Sequence, residues 1–258
     1  MQEELIMEIR KAVVTGGTSG IGLAISEKFL SDGIDVVISG RSKDVPSRLQ
    51  NNKNYSGKLF QYSANLTDAS RVKELFNFSL NSLLCIPDIV VINAGVGLAG
   101  TALTSDSSKW EGLFDINCIS ALHQMREAVN LMLENLKNEK NKSKKMDIVI
   151  ISSVAGRVVS INNPVYGSTK FALSSLAESL RKEICNKLIR VTVLEPGFVK
   201  SNFQANAGYN LEEFSTLEDK FGPFLLPEDI ARLVSFVIMQ PQRVNLSNLT
   251  IRPTRQRD

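Results

Sequence analysis

The sequence predicts a single-domain, three-layer α/β/α fold built on a doubly wound parallel sheet, and three observations lead to it. Short apolar runs rich in β-branched residues recur along the chain. Helix-length stretches with apolar residues three and four apart separate them, and a glycine-rich turn joins the first run to the first such stretch.

The apolar runs lie at residues 12–14, 36–38, 89–92, 148–151 and 191–194. Continuous runs of this kind suit strands covered on both faces, as in a parallel sheet. Between them, Ile21, Ala24, Ile25 and Phe29 mark one helical face, and Leu173, Leu176, Ala177 and Leu180 another. The alternation implies right-handed crossovers, with a nucleotide-binding half at about residues 8–150 and a catalytic and substrate half at about 151–258. Two stretches break the rhythm. Residues 137–145, KNEKNKSKK, are expected to form an exposed connection, and residues 198–227 a lid or binding segment.

Composition narrows the possible functions. A chain of 258 residues that is 43% hydrophobic and 22% charged supports one large core. A net charge of +3 is too small to gather nucleic acid or membrane, and the lysine run lacks interleaved aromatic residues, so neither partner is expected. Cys85, Cys118 and Cys185 are odd in number and widely spaced, which suggests a reducing, cytoplasmic setting rather than a disulfide framework. His123 is the only histidine, and no metal is expected. Residues 1–10 mix acids with apolar residues and do not read as a leader, and no apolar run is long enough to span a bilayer.

The turn after the first run reads Thr15-Gly16-Gly17-Thr18-Ser19-Gly20-Ile21-Gly22 and opens directly into a helix. Glycines allow a tight turn and close backbone approach, while the helix start offers free N–H groups and a positive dipole end to a pyrophosphate. The doubly wound sheet is thus expected to be of the Rossmann type. The second run ends Ser39-Gly40-Arg41-Ser42. An acid there would bind the 2′-hydroxyl of NAD; Gly40 followed by Arg41 points instead to the 2′-phosphate of NADP(H).

Tyr166 and Lys170 stand four apart, so a helix would place them on one face. A nearby ammonium and a cationic nicotinamide favour the ionised phenol and make it a usable proton donor and acceptor. Ser152 and Ser153 end a buried run, where open α/β sheets place ligand-binding groups.

With these motifs in order, the chain resembles the short-chain dehydrogenase/reductase family over nearly its whole length. Residues 15–22 match the family's nucleotide motif, Asn93-Ala94-Gly95 its asparagine-alanine-glycine strand end, and Asn117 its helix asparagine. Ser153, Tyr166 and Lys170 match the catalytic group, and Pro196-Gly197 opens the nicotinamide loop. The resemblance implies Tyr166 as general acid/base, with Lys170 lowering its pKa and holding the nicotinamide ribose. It further implies Ser153 on the substrate oxygen and Asn117 behind a water-linked relay. Implied cofactor contacts are Gly16, Thr18, Ser19, Gly20, Ile21, Gly22, Arg41, Asn65, Leu66, Asn93, Ala94, Gly95, Pro196, Gly197, Val199 and Ser201, besides Tyr166 and Lys170.

The C-terminal segment is similar to the branch of NADP-dependent 3-hydroxy acid and serine dehydrogenases, which implies a small hydroxy acid as substrate. Arg157, Lys200 and Arg255 are the cations that could meet its carboxylate. A 3-oxoacyl-type or general ketone and aldehyde reductase is an alternative, as is a non-catalytic dinucleotide-binding regulator. The resemblance also implies a homodimer or homotetramer.

Overall fold

The computed structural model describes residues 9–50, 54–138, 141 and 144–257. Seven strands form one parallel sheet: β1 Lys11–Thr15, β2 Asp35–Gly40, β3 Leu59–Ser63, β4 Ile89–Ile92, β5 Met146–Ile151, β6 Ile189–Pro196 and β7 Asn248–Ile251. Their order is β3-β2-β1-β4-β5-β6-β7, so the direction of winding reverses between β1 and β4. Val14 pairs with Val91 at that junction, and the crevice above it is where open α/β sheets bind ligands.

Side chains alternate across the sheet with period two, and each face receives its own helices. Val13, Val37, Val90 and Ile148 pack against α3 (Ala69–Leu83), α5 (Ala121–Leu136) and α6 (Pro164–Ile184). Ala12, Val14, Val36 and Val149 pack against α1 (Gly20–Ser31) and α9 (Pro227–Met239). Four shorter helices complete the order: α2 (Ser47–Gln50), α4 (Trp110–Phe114), α7 (Phe203–Asn206) and α8 (Leu211–Phe221).

The central strands are the five apolar runs. The two outer strands escaped that reading because they are edges: every residue of β3 is only half-buried, and β7 alternates exposed with half-buried positions. The expected lid at residues 198–227 holds α7 and α8. In the lysine-rich connection, residues 139, 140, 142 and 143 lie outside the described residues, as do residues 1–8 of the segment that does not read as a leader. No helix among the described residues is long and apolar enough to cross a membrane.

At the N-terminal ends of the strands, opposite the crevice, Arg190 donates to both carboxylate oxygens of Asp147, at 2.7 and 2.9 Å, and Arg10 reaches the same carboxylate at 2.8 Å. Asp147 and Arg190 are both buried, so these pairs replace water as their partners. Arg190 also donates to the carbonyls of Ile238 and Gln240, fastening the end of α9 to β5 and β6.

Candidate active site

The glycine turn lies where β1 gives way to α1. Gly16 and Gly20 have φ of +65° and +53°, a region that favours glycine. A Cβ on Gly22 would stand 2.3 Å from the Gly16 carbonyl oxygen, which explains why α1 must begin with so little bulk. At Gly20 a Cβ would meet only Ser201 at 3.9 Å, because that position faces the open crevice. No side chain caps the start of α1, so its first N–H groups face the same space. The turn is held from below by β4: Asn93 donates its amide to the Thr15 carbonyl at 2.9 Å, and Thr15 Oγ1 accepts from the Asn93 and Ala94 N–H groups, both at 3.1 Å.

Beyond the end of β2, Arg41 is exposed and pairs with no acid among the described residues. With Thr18, Ser19 and Ser42 it lines a side pocket that opens beside the main cleft. A Cβ at Gly40 would fall 2.3 Å from Thr18 Oγ1, so the position where an NAD-type acid would stand has no room for one.

The third group gathers where β5 ends. Ser153, in extended conformation, starts a short turn by accepting the Ala155 N–H at 3.1 Å, and it lines the cleft together with Tyr166. Tyr166 and Lys170 are both buried on α6, and the Lys170 ammonium lies 5.8 Å from the centre of the Tyr166 ring. Lys170 donates to the Ile151 carbonyl at 3.1 Å. Burial pushes the lysine down to about 8. Burial also pushes the Tyr166 hydroxyl above its ordinary range, and the neighbouring Ser153 hydroxyl offsets this only in part. Desolvation is thus the largest influence on Tyr166 in the protein without cofactor. Ser152, by contrast, turns inward: its hydroxyl bonds Ser174 at 2.9 Å and the Lys170 carbonyl at 3.3 Å.

Asn117 lies in a π-helical turn, Asp115–Ser120, inserted between α4 and α5. Its side chain accepts from the Val96 N–H at 2.9 Å and donates to the Val96 carbonyl at 2.9 Å and to Thr169 Oγ1 at 3.0 Å. Thr169 in turn donates to the Tyr166 carbonyl at 2.7 Å. Asn117 thus ties the strand end after β4 to the helix that carries Tyr166. It does not itself line the cleft.

These groups border one cleft of about 1210 Å³. Of the residues expected to contact the cofactor, all line it except Gly22, which is buried beneath the turn. A family model for short chain dehydrogenases matches residues 10–211. The chain belongs to the short-chain dehydrogenase family. It is 30% identical over 244 residues to an uncharacterized oxidoreductase of Staphylococcus aureus, across 94% of this chain and 96% of that one. A serine dehydrogenase complexed with NADP+ superposes with a TM-score of 0.81 at 28% identity, over 95% of this chain and 96% of the other. The serine dehydrogenase from Escherichia coli does so with a TM-score of 0.76 at 28% identity, over 95% and 99%. These neighbours agree with the branch that the C-terminal segment suggests.

As a short-chain dehydrogenase, the chain has room for a dinucleotide in the open space above Gly20, the uncapped start of α1 and the pocket beside Arg41. Gly95 narrows the floor: a Cβ there would lie 2.9 Å from Asn117 Oδ1 and 3.7 Å from Lys170 Nζ. The loop after β6 is held by the C-terminal segment, as the Gly197 N–H reaches the Ile251 carbonyl at 2.8 Å and Gln256 Oε1 accepts the Phe198 N–H at 3.0 Å.

The three cations considered for a substrate carboxylate do not line the cleft. Arg157 is paired with the buried Glu195, Lys200 lies 3.3 Å from Glu218, and Arg255 is exposed. Sequence reasoning also missed the aromatic wall contributed by Phe198, Phe203, Tyr209, Phe214 and Phe221. Its signal was the density of aromatic residues in the 198–227 segment.

Proposed function

We propose that this chain is an NADP(H)-dependent oxidoreductase that interconverts a carbonyl and a secondary alcohol. The observation that carries the reading is the convergence of Ser153, Tyr166 and Lys170 on one dinucleotide-sized cleft, with the Lys170 ammonium 5.8 Å from the centre of the Tyr166 ring. The serine dehydrogenase neighbour complexed with NADP+ supports the choice of cofactor, as do Arg41 and the missing acid at Gly40. When bound, the nicotinamide supplies or accepts the hydride.

The residues around it do the rest. In the reducing direction Ser153 donates to the carbonyl oxygen and Tyr166 delivers the proton to it as charge develops there. Lys170 places a positive charge near the Tyr166 ring and reaches the ribose side of the cleft. Since burial alone pushes Tyr166 upward, this charge and that of the oxidised nicotinamide must together favour the phenolate. Asn117 is a positioning residue that fixes α6 against the strand end. Gly16, Ser19 and Ile21 hold the pyrophosphate, Asn65 and Leu66 the adenine, and Asn93, Ala94, Pro196, Val199 and Ser201 the nicotinamide half. A homodimer or homotetramer in a reducing, cytoplasmic setting fits this reading and its three cysteines, which form no disulfide.

The test is NADPH oxidation across a panel of ketones and aldehydes, run beside Tyr166→Phe. The variant should stay folded, bind NADPH and lose about 10²–10⁴-fold in kcat. Undiminished turnover would remove Tyr166 from the chemistry, and no oxidation with any carbonyl would leave a dinucleotide-binding regulator.

A further inference from the structure

The cleft continues past Tyr166 into a wall of rings. Tyr166 lies 5.6 Å from Phe203, Tyr209 lies 6.4 Å from Phe214, and Phe198 stands between Phe214 and Phe221 at 5.8 and 6.0 Å. Helix α8 supplies part of it with Phe214, Leu217 and Phe221, whose spacing puts all three on one face. Elsewhere on that helix stand the acids Glu212, Glu218 and Asp219 and one lysine, Lys220, which is exposed outside the cleft lining with its ammonium 5.0 Å from the centre of the Phe221 ring.

Among the described residues that line the cleft there is no Asp or Glu, and its two cations are Arg41 and Lys170. Arg41 follows β2, and four strand steps separate β2 from β6, whose loop leads to the aromatic wall. At the usual spacing that is about 19 Å. Lys170 is turned onto the Ile151 carbonyl at 3.1 Å. A carboxylate at the aromatic end would therefore lose its water with no cation in the cleft wall to receive it, beside a helix on which acids outnumber the single lysine. An uncharged ring would instead pack against rings.

We propose that the aromatic end of the cleft takes an uncharged ketone or aldehyde with an aromatic arm and discriminates against carboxylate substrates. This deepens the oxidoreductase reading and rests on it for the reacting carbonyl. It departs from the small hydroxy acid that the C-terminal resemblance implies.

The decisive comparison uses 4-acetylbenzamide and 4-acetylbenzoate, which share a ketone and a shape and differ in charge. Calorimetry on the NADP+-loaded protein should show the amide binding at least tenfold tighter at pH 7. Leu217→Arg, which puts a cation on the wall, should bring the two within threefold. Equal or tighter binding of the benzoate overturns the proposal, and so does failure of both to bind. The comparison in the unsubstituted protein decides the matter even if the arginine variant does not fold. NADPH oxidation is measured on the same pair. An amide preference in binding without oxidation would sustain the ligand class and overturn the oxidoreductase reading instead.

Discussion

The Lys170 ammonium donates to the Ile151 carbonyl at 3.1 Å, so the helix bearing Tyr166 is fastened to the last residue of the strand that precedes Ser153. That bond holds a charge inside the protein, with a measurable effect on stability. Lys170 sits at about 8, below the ordinary lysine value of 10.5. Between pH 8 and 10 the unfolded chain therefore binds the extra proton, and stability rises with pH. Above about pH 10 the effect is opposed, because the unfolded chain ionises Tyr166 before the folded one does. In the absence of cofactor, the native protein should gain about 2–3 kcal/mol relative to Lys170→Met between pH 8 and 10. Urea midpoints at the two pH values check it, and parallel pH dependences in the two proteins would contradict it.

Arg41 should set cofactor choice. NADPH should bind at least about tenfold tighter than NADH, about 1.4 kcal/mol, and Arg41→Ala should remove most of the difference. Fluorescence titration with each cofactor measures this. Equal affinities in the native protein would show that the pocket beside Thr18 does not read the phosphate.

The two adjacent serines should behave differently. Ser153→Ala removes a donor facing the cleft, so kcat should fall by about 10²-fold or more while NADPH binding holds. Ser152→Ala breaks the inward bond to Ser174 and should cost about 1 kcal/mol of stability with little change in kcat. Steady-state kinetics and thermal melts on both variants separate the roles, and a reversed pattern would move the substrate contact to Ser152.

The strands buried on both faces were legible because apolar residues dominate their central stretches: β1, β2, β4, β5 and β6 all stand out. β3 and β7 are edges with mixed sequences, and their pairing is set by neighbours distant along the chain. The glycine turn and the Tyr166–Lys170 spacing were legible because their chemistry is local. Arg157 and Lys200 were not, since their partners, Glu195 and Glu218, are 38 and 18 residues away and only the fold brings them together. The upward push on Tyr166 was missed for the same reason: desolvation depends on everything packed around a group. The aromatic wall was foreseen as a segment and not as a surface.

The turn at Asp115–Ser120 bears on how this protein tolerates changes in length. Each residue of an α-helix advances about 100°, so a wide turn resets the phase between the helical segments on its two sides. From Trp110 to Leu136 the helical turns follow one another without a break, and the wide turn shifts the phase of the side chains on its two sides, with Asn117 at the joint. Removing one residue there would make the rod more regular and swing Asn117 away from Val96 and Thr169. Insertions and deletions should accordingly be harder to accommodate in this plain-looking helix than in the lysine-rich connection at its C-terminal end.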